Sequence, residues 1–169
     1  MRQRIVALAA GIVLAAAGAL SACASYGPQS LPSGVTKAFI VERLGPASME
    51  IAGPQGASRL VYARGPFGRH TWMLDLDAQG RLVKWHQALV IEQLMALPMG
   101  MTAQEILFQI GPPADRRPRG LKPGQLWSYR YPTNDCLWFQ IVLDERDRLV
   151  EAGTGIDPHC DDAPTRGPL

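Results

Sequence analysis

Apolar positions along the chain recur with two periods. Ile106, Leu107 and Ile110 fall on one face of a helix, Thr102 and Glu105 ahead of them form a capping box, and Gly111-Pro112 stops the run, so a short helix is predicted over 101–110. An earlier stretch repeats the design with Thr36 as cap, Ile40, Val41 and Leu44 as face and Gly45-Pro46 as stop, but Phe39 stands where the capping box has its Glu. Ile91, Leu94, Met95 and Leu97 also sit at helical spacing, which gives the second stretch a helix pair. A Pro/Gly-rich loop is expected after each stop, and then strands with alternating or β-branched and aromatic residues: 59–64, 70–76 and 81–89 in the first half, 125–131, 136–143 and 148–153 in the second. Trp72, Leu74 and Leu76 share one face of the first middle strand; Leu137, Phe139, Ile141 and Leu143 share one face of the other. The segments 77–80 and 144–147 read as turns.

The two halves keep one register. Gly34 returns as Gly100, Thr36 as Thr102, Ile40 as Ile106, Gly45 as Gly111, Pro46 as Pro112 and Trp72 as Trp138, each at an offset of 66 (100 − 34 = 66; 138 − 72 = 66). Such a repeat implies two copies of one folding unit. Leu82 matches Leu149 one residue later, so the register slips by one near the last turn, as a turn of different length would produce. The fold class is therefore α+β: two tandem repeats, each a short helix or helix pair on a three- to four-stranded antiparallel sheet, with the first unit over 33–89 and the second over 90–156. A lone core of this size is marginal, so the copies are expected to pack together or share strands.

Ahead of the first unit, Arg2 and Arg4 precede an apolar run over 5–20 and then Leu20-Ser21-Ala22-Cys23. The run is short for a membrane span and its flanks fit a signal peptide over 1–22. The Leu-Ser-Ala-Cys stretch resembles the lipobox of bacterial lipoproteins, which implies lipidation of Cys23; the alternatives are an ordinary signal peptide with a stray cysteine and an uncleaved helix. By the sorting rule of such lipoproteins, Ala24 in place of Asp implies the outer membrane, periplasmic face. Several acyl chains would make that anchorage effectively permanent. Gly27 and Pro28 then mark an extended lipidated tether over 23–32.

Charge adds little. Without Arg2 and Arg4, 17 − 2 = 15 basic residues face 15 acidic ones, which is no nucleic-acid footprint. Arg116, Arg117, Arg119 and Lys122 cluster among prolines and glycines and read as a solvated loop, with an acidic partner or lipid headgroups as the other reading. Cys136 and Cys160 make an even pair in a compartment where disulfides persist; closing their 24-residue loop (160 − 136 = 24) would contribute about 3 kcal/mol by the chain-entropy account and pin the tail, 157–169, which is expected to be disordered beyond Cys160. The rival use of Cys136, His159 and Cys160 as a metal site lacks CxxC spacing, so no metal or cofactor is expected. His70, His86 and His159 belong to no catalytic motif, and there is no Gly-x-Ser-x-Gly, HExxH or phosphate-cradling glycine loop, so the chain is not expected to be an enzyme. Core is the default place for Trp72, Trp85, Trp127 and Trp138. Exposure of Tyr62, Trp85, Tyr129 and Tyr131 would instead make their sheet a contact surface, and these four with Arg117 are the candidate partner-binding residues.

Gly100-Met101-Thr102, Glu105-Ile106, Gly111-Pro112-Pro113, Trp127-Ser128-Tyr129-Arg130-Tyr131 and the apolar stretch 139–143 before an acidic turn together resemble the SmpA/OmlA (BamE-like) family of outer-membrane lipoproteins. Gly34-Val35-Thr36, Leu44-Gly45-Pro46 and Leu60-Val61-Tyr62 match it more loosely. The resemblance implies a helix pair on a small antiparallel sheet, and the tandem form is similar to β-lactamase inhibitory protein, which presents a concave sheet. The single-unit member that gives the family its second name is an accessory subunit of the complex that inserts β-barrels into the outer membrane; this chain departs from it in having two units. The implied role is a non-catalytic lipoprotein that binds another cell-envelope protein as scaffold or assembly accessory. The alternative is an inhibitor or ligand-sensing module whose concave sheet occupies an enzyme's cleft.

Overall fold

The computed structural model describes residues 26–158. The expected signal peptide, Cys23, His159, Cys160 and the tail beyond Pro158 lie outside the described residues. The fold is α+β with two four-stranded antiparallel sheets, each a simple meander. In the first unit helix α1 (Lys37–Leu44) precedes β1 (Met49–Ala52), β2 (Ser58–Ala63), β3 (Thr71–Leu76) and β4 (Leu82–Gln87). In the second, α2 (Ile91–Met95) and α3 (Ala103–Ile110) precede β5 (Asp115–Pro118), β6 (Gln125–Tyr129), β7 (Leu137–Leu143) and β8 (Leu149–Ile156).

Each helix forms where its cap allows. The Thr102 hydroxyl accepts from Glu105 N at 3.2 Å and a Glu105 carboxylate oxygen accepts from Thr102 N at 2.7 Å, which completes the expected capping box. Those bonds, the backbone one first, hold the Glu105 carboxyl below its usual range. In α1 only the first half of the box exists, Phe39 N to Thr36 Oγ1 at 3.3 Å. Both helices end at a glycine with φ near +80° and ψ near 180°, Gly45 and Gly111. That is not the left-handed helical cap but a mirror-extended conformation that only glycine enters readily. It turns the chain abruptly toward the sheet, and a tyrosine holds the corner from below: Tyr62 Oη donates to Gly45 O at 3.0 Å and Tyr129 Oη to Gly111 O at 3.2 Å.

The start of each helix is tied to the last hairpin of its own unit. Thr36 bridges to Arg81 and Thr102 to Arg148, while the guanidinium of Arg81 donates to Gly34 O and that of Arg148 to Gly100 O. The hairpin turns match as well: Asp77 accepts from the amides of Gln79 and Arg81, Asp144 from those of Arg146 and Arg148. The duplication is thus written in hydrogen bonds as well as in residue types.

Four sequence expectations change. First, the register slips in the hairpin between the first two strands, not near the last turn: five residues (53–57) join β1 to β2 and six (119–124) join β5 to β6. From β2 onward the offset is 67, so Leu60 corresponds to Trp127, Tyr62 to Tyr129 and Leu74 to Ile141. Trp72, paired with Tyr62, therefore corresponds to Phe139, paired with Tyr129, and Trp138 faces the opposite side of its sheet. The Trp72/Trp138 landmark is a coincidence of one residue. Second, β1 and β5 occupy stretches expected to be loops, and Arg116 and Arg117 lie in β5. Edge strands need only backbone pairing on one side, so arginine and a closing proline suit them and hide the alternating pattern. Third, the stretch expected to be an extended tether is packed from Tyr26 onward: Pro28–Ser30 forms a single 3-10 turn, with Pro28 and Leu31 buried. Its apolar Leu31 completes the first core, as Leu97 does in the second. Fourth, the segment expected to be a helix over 90–97 is helical only over Ile91–Met95.

Ile40 and Leu44 of α1 pack with Leu60, Tyr62, Trp72, Leu74, Leu76 and Leu82 on one face of the first sheet. Ile106 and Ile110 of α3 pack with Trp127, Tyr129, Phe139, Ile141, Leu143 and Leu149 on the second. The other face of the first sheet carries Val61 and Met73, both fully buried. Gly111 lies against it, so close that an added Cβ would meet Thr71 Cγ2 at 2.8 Å and Val61 Cγ1 at 3.1 Å. The end of α3 thus sits between the two sheets.

Candidate functional site

Where α3 crosses the first sheet, the two units leave an open groove of about 970 Å³. One wall is the back of the first sheet, with Ile51, Arg59 and His86; the other is α3 with Gln104 and Phe108, and the connector with Pro98, Met99 and Met101. Met99 is 59% exposed and Phe108 41% exposed. The first copy has Ser33 where the second has Met99 and Glu42 where it has Phe108, both at the offset of 66 that holds in this part of the chain. The apolar groove is therefore a property of the second copy's helix face laid against the first copy's sheet.

Arg59 joins the walls. Its Nε donates to Asp75 Oδ1 at 2.5 Å and its Nη2 to Asp75 Oδ2 at 3.1 Å, a bidentate pair, while Nη1 donates to Phe108 O at 2.8 Å. The guanidinium carbon lies 4.2 Å from the centre of the Phe108 ring. A cation at the carbonyl end of α3 also complements the helix dipole. Burial pushes the Asp75 carboxyl up, but the hydrogen bond and charge of Arg59, with Lys84 and His86, outweigh it and the net shift is downward. Burial, helped by Arg59, lowers His86. Arg59, paired with Asp75, lines the groove together with Arg148 and Glu105 around the apolar side chains. The groove offers shape, apolar surface and a few charges, the properties of a site that holds a side chain or peptide.

None of the five partner-binding candidates lines this groove. Tyr62, Tyr129 and Tyr131 are buried, the first two bound to helix-end carbonyls, so the exposed aromatic sheet face expected for them does not exist. Trp85 is 36% exposed, with its ring edge-on to Trp72 at 5.5 Å. Arg117 is exposed on β5, 5.9 Å from the Trp138 ring, and lines a separate cavity of about 230 Å³ with Arg130 and Pro66. Arg130 is buried there in a bidentate pair with Asp157, at 2.5 and 3.0 Å, and also donates to Pro66 O. Cys136 is not a free thiol, while Cys160 lies outside the described residues. Among the described residues no three His, Cys, Asp or Glu side chains converge as a metal site would need. The residues that do form the groove left one legible trace: Phe108 is an aromatic on the polar side of α3, next to Gln104, Glu105 and Gln109.

No family model matches the chain, and no curated protein matches it. Among solved structures it is similar to an osmotically inducible lipoprotein, OsmE, at 25% identity and a TM-score of 0.34, over 39% of this chain and 77% of that one. It is also similar to a DUF4309 family protein from Bacillus subtilis (12% identity, TM-score 0.30, 76% of this chain and 83% of that one). An extracellular protein with an SCP domain from Bacillus anthracis is similar at 14% identity and a TM-score of 0.29, over 76% of this chain and 45% of that one. These partial likenesses assign the chain neither a family nor a function.

Proposed function

We propose that the chain is a non-catalytic outer-membrane lipoprotein, anchored through Cys23 at the periplasmic face, that binds another cell-envelope protein as a scaffold or assembly accessory through the groove between its two units. The observation that carries the reading is the groove itself: Met99 and Phe108 are apolar only in the copy where they face the other unit, and they stand partly exposed beside Arg59. Exposed apolar side chains gathered at one cleft and rimmed by charge are the usual mark of a protein-contact site. Anchorage would raise the effective concentration of the groove for a membrane partner, so modest intrinsic affinity suffices.

The test is site-specific photocrosslinking in intact cells, with the probe at Met99 or Phe108 and, as controls, at Val83 or Leu121, which are exposed elsewhere. One envelope protein captured from the groove positions and not from the controls supports the reading. Equal capture from all four positions counts against the groove. A soluble hydrolase captured there instead would favour the inhibitor role.

A further inference from the structure

Tyr26, three residues after Cys23 (26 − 23 = 3), is pinned to the first unit. The Tyr26 hydroxyl lies 3.0 Å from His70 Nδ1 and its ring meets the imidazole edge-on at 5.5 Å. Its carbonyl accepts from Arg64 Nε at 3.0 Å, and the Arg64 guanidinium carbon lies 5.6 Å from the ring. His70 is stacked on the core residue Trp72 at 5.4 Å, so the clamp is continuous with the first core. Three residues reach about 11 Å at full extension. A lipid on Cys23 would therefore keep the Arg64–His70 corner within about 11 Å of the anchor point.

That corner is the hairpin between β2 and β3. It is closed by Arg64 N to His70 O at 3.0 Å and by Gly68 N to Arg64 O at 2.7 Å. Phe67 stands at its tip, 80% exposed, with exposed Arg69, which also donates to Thr133 O, two residues on and the guanidinium of buried, Asp157-paired Arg130 5.8 Å from its ring. The corresponding hairpin of the second unit carries Thr133, Asn134 and Asp135 and has no apolar tip. A large exposed apolar ring with an exposed arginine two residues on, set beside a lipid attachment point, matches the interfacial layer of a bilayer, where aromatic rings and cations are both accommodated.

We propose that the β2–β3 hairpin is a second membrane contact, with Phe67 and Tyr26 in the interfacial layer and Arg69 against phosphate headgroups, so that the body takes one orientation instead of swinging on its anchor. The proposal rests on the lipid-anchor reading of Cys23. In that orientation the hairpin faces the bilayer and the body projects away from it.

The experiment places a spin label on the lipidated full chain at Phe67→Cys or, at the other end of the second sheet, at Lys122→Cys, in vesicles of phosphatidylethanolamine and phosphatidylglycerol. The label at position 67 is expected to gain collision with oxygen and to lose collision with an aqueous nickel chelate relative to position 122, and Arg69→Glu should make it shallower. Equal access of the chelate to both labels, on a chain whose mass includes the lipid, overturns the hairpin contact and leaves the anchor standing. A chain whose mass lacks the lipid overturns both.

Discussion

The two units share a hydrogen-bonded skeleton almost bond for bond, yet they do different work. The first sheet is covered on both faces, by α1 on one and by the end of α3 on the other, and its back carries fully buried Val61 and Met73. The second has its own helix on one face and buried Ser128, Trp138 and Val142 on the other, and its better capped helix serves both sheets. Duplication therefore supplied two copies of a frame, and divergence at a few surface positions made one copy lean on the other. Arg59, whose counterpart in the second unit is Leu126, and Phe108, whose counterpart in the first is Glu42, are where that divergence is concentrated.

The sharpest way to break this comparison is at the helix ends. Gly45→Ala should cost about 2 kcal/mol from backbone strain alone, because an added Cβ there meets nothing within 4 Å. Gly111→Ala carries the same strain plus overpacking against Thr71, Val61 and Met73, for a total of about 4 kcal/mol in denaturant unfolding. Equal losses at the two sites would mean that α3 does not seat on the first sheet. Next in size is Arg59→Ala, expected to cost about 2 kcal/mol because it removes both hydrogen bonds to Asp75, leaving that carboxylate only the more distant Lys84, and unties Phe108 O. Hydrogen exchange should quicken at both walls of the groove, whereas a change confined to β2 would show that the units are not coupled there. Third, Thr102→Ala should cost about 1 kcal/mol and Thr36→Ala less, since only Thr102 belongs to a complete capping box.

The smallest effect is one of pH. Burial lowers both His70 and His86 below the ordinary imidazole value, and both lie in the first unit. A neutral imidazole favoured by the fold contributes stability that is complete above the unfolded pKa of about 6.5 and is lost as pH falls through the lowered folded value. Melting between pH 7.5 and 5 should thus weaken the first unit preferentially, and His70→Gln with His86→Gln should flatten that dependence. The carboxyls of Asp75 and Asp144 are depressed, the first by Arg59 against the effect of burial and the second chiefly by the Arg148 amide. Their share is present above the usual carboxylate range and goes only at lower pH, in both units.

Helices, turns and the last three strands of each sheet were legible because each carries its own local signal: a capping threonine, a glycine stop, an alternating run. The first strand of each sheet was not, since Asp115-Arg116-Arg117-Pro118 pairs through its backbone and shows no period. The duplication was readable, but an offset carried through an unseen hairpin of different length matched Trp72 with the wrong residue. Tyr62 and Tyr129, at 67, were the truer pair, and their hydroxyls were needed under the helix ends, not on a surface. The groove was the least legible feature of all, because it exists only when residues from two copies face one another. Phe108 alone hinted at it, as an aromatic among glutamines.

The ordering of parts along the chain has a consequence for biosynthesis. As the polypeptide emerges from its N-terminus, every strand of the first sheet is available once Gln87 has appeared, but the patch made by Val61 and Met73 is only partly covered, by Met49, Ile51 and Ala88, until Gly111 arrives. During that interval the nascent chain presents a sticky half-finished product, and any chaperone that attends it has its clearest target there.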